Sequence, residues 1–167
     1  ARLATTGDRE IAARIHSYEM AFRMQSAAPE LDDFTGESPS TLSSYGIGDE
    51  TTRPFGTNCL MARRMIERGV RFVQLYHSSW DDHTDLNKNL ATDCSITDRP
   101  AAALLQDLKA RGRLDETLVI WGGEFGRTPT VELPKKGANA GKINGRDHNH
   151  WGYTTWMDGG GIRGGYK

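Results

Sequence analysis

Two apolar runs of strand length, Val70–Tyr76 (VRFVQLY) and Thr117–Trp121 (TLVIW), each follow a helical pattern that closes on a glycine. This alternation restricts the fold more than any other feature of the chain. Over Gly56–Arg68 the apolar residues, Met61, Met65 and Ile66 among them, recur at helical spacing, and Gly69 can leave the helix in left-handed geometry. A second helical pattern reaches Arg111 through Leu104, Leu105 and Leu108, with Pro100 as a kink or first-turn residue and Gly112 as terminator. Helix, strand, helix, strand at this spacing predicts crossover units on a parallel sheet, and therefore an α/β fold. A third strand is expected at Tyr153–Met157, ended by Gly159–Gly161.

Around this unit the sequence is less regular. From Asp8 to about Ala28, Ile11, Ile15, Tyr18 and Phe22 paint one helical stripe that Pro29 is expected to stop. The stretch 29–53, rich in Ser, Thr, Gly, Asp and Glu, reads as a surface connection with one helical turn near Ser40–Tyr45, and 134–145 reads as a flexible loop. A chain of 167 residues is domain-sized. Its formal net charge of −1 offers no field for nucleic acid, and no stretch approaches the roughly 18–20 apolar residues of a membrane span. Cys59 and Cys94 are too few for a disulfide scaffold and read as small buried hydrophobes.

Ligands in open α/β sheets bind beyond the carboxyl ends of the strands, so the polar clusters at the strand ends are the candidate site. Twelve of the 19 glycines lie after residue 121, as do His148 and His150, which places loop backbone and potential ligands together. After the first strand comes His77-Ser-Ser-Trp-Asp81-Asp82-His83-Thr-Asp85, in which Asp81 and His83, two apart in an extended loop, can face one cation. Taken alone, the plainer reading is a loop that caps the next helix. After the second strand comes Gly122-Gly-Glu124-Phe-Gly126-Arg127-Thr128, with Glu124 and Arg127 as the reactive candidates or, more plainly, an internal ion pair. Before the third stands Gly145-Arg146-Asp147-His148-Asn-His150-Trp151, whose two histidines form a ligand pair or are simply solvated. A mixed set of Asp, Glu and His suits zinc, manganese or iron, and a metal so held supports ester hydrolysis. Arg127 and Arg146 match an oxyanion with a planar fork of donors. No G-x-S-x-G elbow, P-loop or G-x-G-x-x-G is present, which leaves serine-esterase, NTPase and dinucleotide readings without support.

The stretches FGTNCLMARRMIERGVRFVQLYHSSWDDH, LDETLVIWGGEFGRTP and GRDHNHWGYTTWMDGGGI closely resemble a planctomycete-rich bacterial family called domain of unknown function 1501. That family is often labelled sulfatase-like and looks like a branch of the alkaline phosphatase superfamily. The resemblance runs from about Ile11 to Lys167. It implies a partial doubly wound, mostly parallel sheet with flanking helices, 1–167 being one incomplete domain of this type, and a metal-dependent site at the strand ends. The family's W-D-x-H falls on Trp80, Asp81 and His83, its E-F-G-R on Glu124 to Arg127, and its G-R-D-H on Gly145 to His148. The resemblance thus implies Asp81, His83, Glu124, Asp147 and His148 as metal ligands, to which the spacing of His148 and His150 adds His150, with Glu124, Arg127 and Arg146 as catalytic residues. Where the wider superfamily has an Asp-His pair after an apolar strand, this chain has Glu124-Phe125, which fits a single metal or two held with more carboxylate.

The family also implies export, a first strand bearing the nucleophile and further C-terminal sequence. The chain is therefore expected to be an internal fragment that does not turn over substrate alone. The expected function is metal-dependent hydrolysis of sulfate or phosphate esters on small molecules or polysaccharides. A non-catalytic relative that binds carbohydrate or protein through Trp80, Trp121 and Trp151, or a phosphomutase-like transferase, are the alternatives. Convergence of Asp81, His83, Glu124 and His148 on one point separates them. Phe125 and Trp121 are expected in the core.

Overall fold

The computed structural model describes residues 9–132 and 144–165. Residues 1–37 and 38–167 form two compact units. The first consists of helix α1 (Arg9–Asp32), which carries the Ile11/Ile15/Tyr18/Phe22 stripe and runs through Pro29 instead of stopping before it. Proline deletes one backbone donor, and so close to the helix end that loss does not terminate the last turn.

The second unit starts with a capped turn of helix. In α2 (Pro39–Ser44), Ser38 at the N-cap accepts the Thr41 N–H at 3.0 Å and Pro39 occupies the first helical position. The helical turn expected near Ser40–Tyr45 within the segment 29–53 is therefore present, over Pro39–Ser44. Helix α3 (Arg53–Glu67) and helix α4 (Leu86–Ala110) pack together and supply most of the core. Tyr45, Phe55, Cys59, Leu60, Ala103 and Leu108 are buried there, and Pro100 lies fully buried in the middle of α4, not in its first turn. The core also holds charge: Arg63 Nε lies 3.1 Å from Asp107 Oδ2 and its Nη1 meets Glu67, while the Tyr45 hydroxyl donates to Asp107 at 3.1 Å. Burial, with the Asp107 carboxylate beside it, pushes the Tyr45 phenol far above its ordinary range.

A 3₁₀ turn at Leu114–Glu116 leads into β1 (Leu118–Gly122), and β2 (Gly126–Arg127), β3 (His148–Asn149) and β4 (Thr155–Gly159) follow. Two of the three expected strands thus form, but their pairing differs from the expectation. β1 pairs antiparallel with β4, Ile120 opposite Met157, and β2 pairs antiparallel with β3, Arg127 opposite His148. Among the described residues the chain is mixed helix with small antiparallel sheets, and a parallel doubly wound sheet is not present. The expected first strand is the reason. Residues 70–77 alternate in burial, with Val73, Leu75 and His77 half-buried and Phe72, Gln74 and Tyr76 exposed, yet among the described residues no ladder partner lies beside them. β-propensity supplies the conformation of a strand, whereas a ladder needs a second chain segment. Most of the loop expected at 134–145 lies outside the described residues.

Candidate metal centre

Three segments build the site, and each is fixed by its backbone. In the loop that follows the extended segment, Asp82 points inward: its Oδ1 accepts from Asn89 Nδ2 at 2.8 Å, and its carbonyl accepts the Arg146 N–H at 3.0 Å. Alternation along extended chain then turns both neighbours, Asp81 and His83, the other way. The loop is bounded by Ser79 (φ 81°) and Asp85 (φ 53°), and the third segment begins at Asn144 (φ 78°). Among the described residues these are the three non-glycine residues with left-handed backbone, and all three border the site. Such residues cost roughly 1–2 kcal/mol each and persist where the surroundings impose them.

Segment 144–149 lies between the 81–86 loop and segment 126–132. Leu86 N–H donates to Asn144 O on one side, and Glu132 N–H to Gly145 O and Thr128 N–H to Asp147 O on the other. Backbones approach so closely that a Cβ at Gly145 would lie 1.9 Å from the His83 carbonyl oxygen, and one at Gly126 would lie 1.3 Å from that of Gly152. Only glycine fits either position.

At the centre, the carboxylate oxygen Oδ1 of Asp81 accepts from Arg127 Nη1 at 2.6 Å and lies 2.8 Å from His148 Nε2 and 3.0 Å from His83 Nε2. The hydrogen bond with His148, then that from Arg127, holds the Asp81 carboxyl down at about 2. Arg127 is clamped further: its Nη2 donates to the Trp80 carbonyl at 3.2 Å and to Glu124 Oε1 at 3.3 Å. On the far side of its ring, His83 Nδ1 lies 2.7 Å from Glu132 Oε2, a bond that raises the imidazole's pKa. The His83 and His148 rings are tilted at 5.0 Å, and Phe125 stacks flat on His148 at 5.4 Å. The centre faces solvent, with the Asp81 and His148 side chains 55% and 42% exposed.

The sequence candidates sort accordingly. Asp81, His83 and His148 each offer one ligand atom, all within 4.8 Å of one another, and His83, Glu132 and Asp147 form a second such group. Asp147 also accepts the His148 N–H at 2.7 Å. Glu124 belongs to neither group and touches the centre only through Arg127. His150 packs against Trp151 instead. The Arg146 guanidinium is turned onto the carbonyls of Thr128 and Pro129, so it latches the segment. Phe125 is 45% exposed and not in the core, whereas Trp121 packs among Phe55, Trp80 and Trp156. Glu132 had no marker in the sequence, because it stands alone in V-E-L and meets His83 across 49 residues.

Neither a curated protein nor a solved structure matches this chain. A family model does so over residues 1–167, and the chain belongs to that family, described as protein of unknown function (DUF1501).

Proposed function

We propose that Asp81, His83 and His148 hold a divalent cation, zinc with manganese or iron as alternatives, and that the centre hydrolyses sulfate or phosphate esters of small molecules or polysaccharides. The observation that carries this reading is the convergence of one carboxylate oxygen and two imidazole nitrogens within 4.8 Å of one another on the solvent side of the unit. That donor set is borderline in softness and fits these metals better than calcium, and three protein ligands leave a position for substrate. A cation held there supplies Lewis-acid polarisation of an ester oxygen. The chain's own residues supply the rest. Arg127 fixes Asp81 and brings positive charge to where an ester oxyanion would lie, and Glu124 steadies that guanidinium. The left-handed residues Ser79, Asp85 and Asn144 support a functional reading, since strain of this kind clusters at sites.

The wider fold is read as part of a doubly wound, mostly parallel sheet of the alkaline phosphatase and sulfatase type. In support, among the described residues segment 70–77 keeps strand-like alternation without a ladder partner, and β1 pairs along one edge. Export rests on the family resemblance. The second reading, a non-catalytic carbohydrate-binding relative, is favoured by Trp151 and Tyr153, which are 86% and 56% exposed a few residues from His148.

The test is metal analysis of the full-length protein with and without His148→Ala, paired with a screen of aryl sulfates and aryl phosphates. Metal that the variant loses, with ester hydrolysis abolished by chelation, supports the hydrolase. Bound oligosaccharide with no metal supports the second reading.

A further inference from the structure

Glu132 lies opposite the converging ligand atoms, on the other nitrogen of His83, and its place is set by backbone. Its N–H donates to Gly145 O at 2.9 Å, and Gly145 in turn packs against the His83 carbonyl, so Glu132 and His83 are registered through the one residue between them. The resulting contact, Oε2 to Nδ1 at 2.7 Å, joins two side chains that are each less than one third exposed. The opposite nitrogen, Nε2, faces Asp81 at 3.0 Å, but that carboxylate oxygen already accepts from Arg127 at 2.6 Å and lies 2.8 Å from His148. Of the two carboxylates at His83, Glu132 is therefore the one with an oxygen free of these competitors.

We infer that Glu132 is a positioning residue: it accepts the Nδ1–H of His83, fixes that tautomer and ring orientation, and so presents the Nε2 lone pair toward Asp81 and His148. Metal-ligating histidines are commonly held in this way by a carboxylate on the distal nitrogen. The functional meaning of the inference rests on the metal reading above, while the tautomer can be read without any metal. The second group of potential ligands, His83, Glu132 and Asp147, is then a support layer and not a second cation site. Nδ1 is occupied by its bond with Glu132, and Asp147 is engaged by the His148 N–H.

The experiment has two arms. In metal-free protein, at a pH where the imidazoles are neutral, long-range proton–nitrogen correlation reads the His83 tautomer. Nδ1–H is expected in the wild type and in Glu132→Gln, whose amide oxygen can accept the same proton. A shift toward Nε2–H is expected in Glu132→Ala. In the second arm, zinc alone is titrated into the three proteins: Glu132→Ala weakens binding about 10–100-fold, and Glu132→Gln recovers most of the loss. An Nε2–H tautomer in the wild type, or a tautomer unchanged in Glu132→Ala, overturns the inference. Two zinc ions per chain, one of them lost in Glu132→Ala, overturns it too, because Glu132 would then be a ligand. A wild type that shows the Nδ1–H tautomer but takes up no zinc sinks the metal reading and leaves the positioning of His83 standing.

Discussion

The spacing of side chains around Asp81 Oδ1 depends on residues that have no side chain. Gly145→Ala would place a methyl group 1.9 Å from the His83 carbonyl oxygen, and Gly126→Ala would drive one into the Gly152 carbonyl. Backbone must move in either case, so both variants should lose zinc affinity at least tenfold while circular dichroism keeps the helical signal of α3 and α4. Ser79→Gly should do the opposite to stability, because it relieves a left-handed backbone at φ 81°. Urea unfolding should show a gain of about 1 kcal/mol, and a loss would mean that the Ser79 side chain makes a contact worth more than the strain. At this scale much of the centre was legible. Asp-x-His in extended chain puts two side chains on one face, and the geometry realises that pattern because Asp82 between them turns inward to Asn89. Glu132 was not legible, since nothing local marks a residue whose partner lies 49 positions away.

The helices were read correctly in kind because apolar spacing at 3.6 residues is a local property, with the error at Pro29, which does not end α1. Of the two places open to Pro100, a kink or the first turn, its position in the middle of α4 excludes the first turn. The strands fared differently. The Val70–Tyr76 run has the composition and alternation of a strand, but its ladder depends on a partner that no local pattern can name, and the same limit explains why β1 pairs with β4, antiparallel, across more than thirty residues. Between α3 and α4 the hidden element is charge. Arg63 is buried with Asp107 and Glu67, so Asp107→Ala should cost about 3 kcal/mol in urea unfolding by removing one carboxylate from a buried guanidinium. Burial on α3 also pushes the Cys59 thiol up to about 12. The unfolded thiol ionises near about 8.5, so this contribution is complete below that pH and is lost as pH rises through the folded value. A thiol reagent at pH 8 should therefore label the half-buried Cys94 first and Cys59 only on unfolding. Equal labelling rates would show that α3 opens freely.

For the molecule as a whole, the proposed centre lies in the unit of residues 38–167, where three motifs, the outermost ligands 67 residues apart, meet at one carboxylate oxygen. Family membership over residues 1–167 names no reaction, so the chemistry rests on that meeting point. Arg127 offers a check on how the roles divide. Arg127→Ala should leave the metal in place and weaken inhibition by inorganic sulfate or phosphate; if it empties the centre, the guanidinium serves to hold Asp81 and not to hold an anion. The most direct measurement is zinc content after equilibrium dialysis of the wild type and His148→Ala, with circular dichroism to show that both are folded. One zinc per chain is expected in the wild type, with a loss of at least tenfold in the variant. Equal zinc in the two proteins, or none in a folded wild type, would contradict the proposed centre.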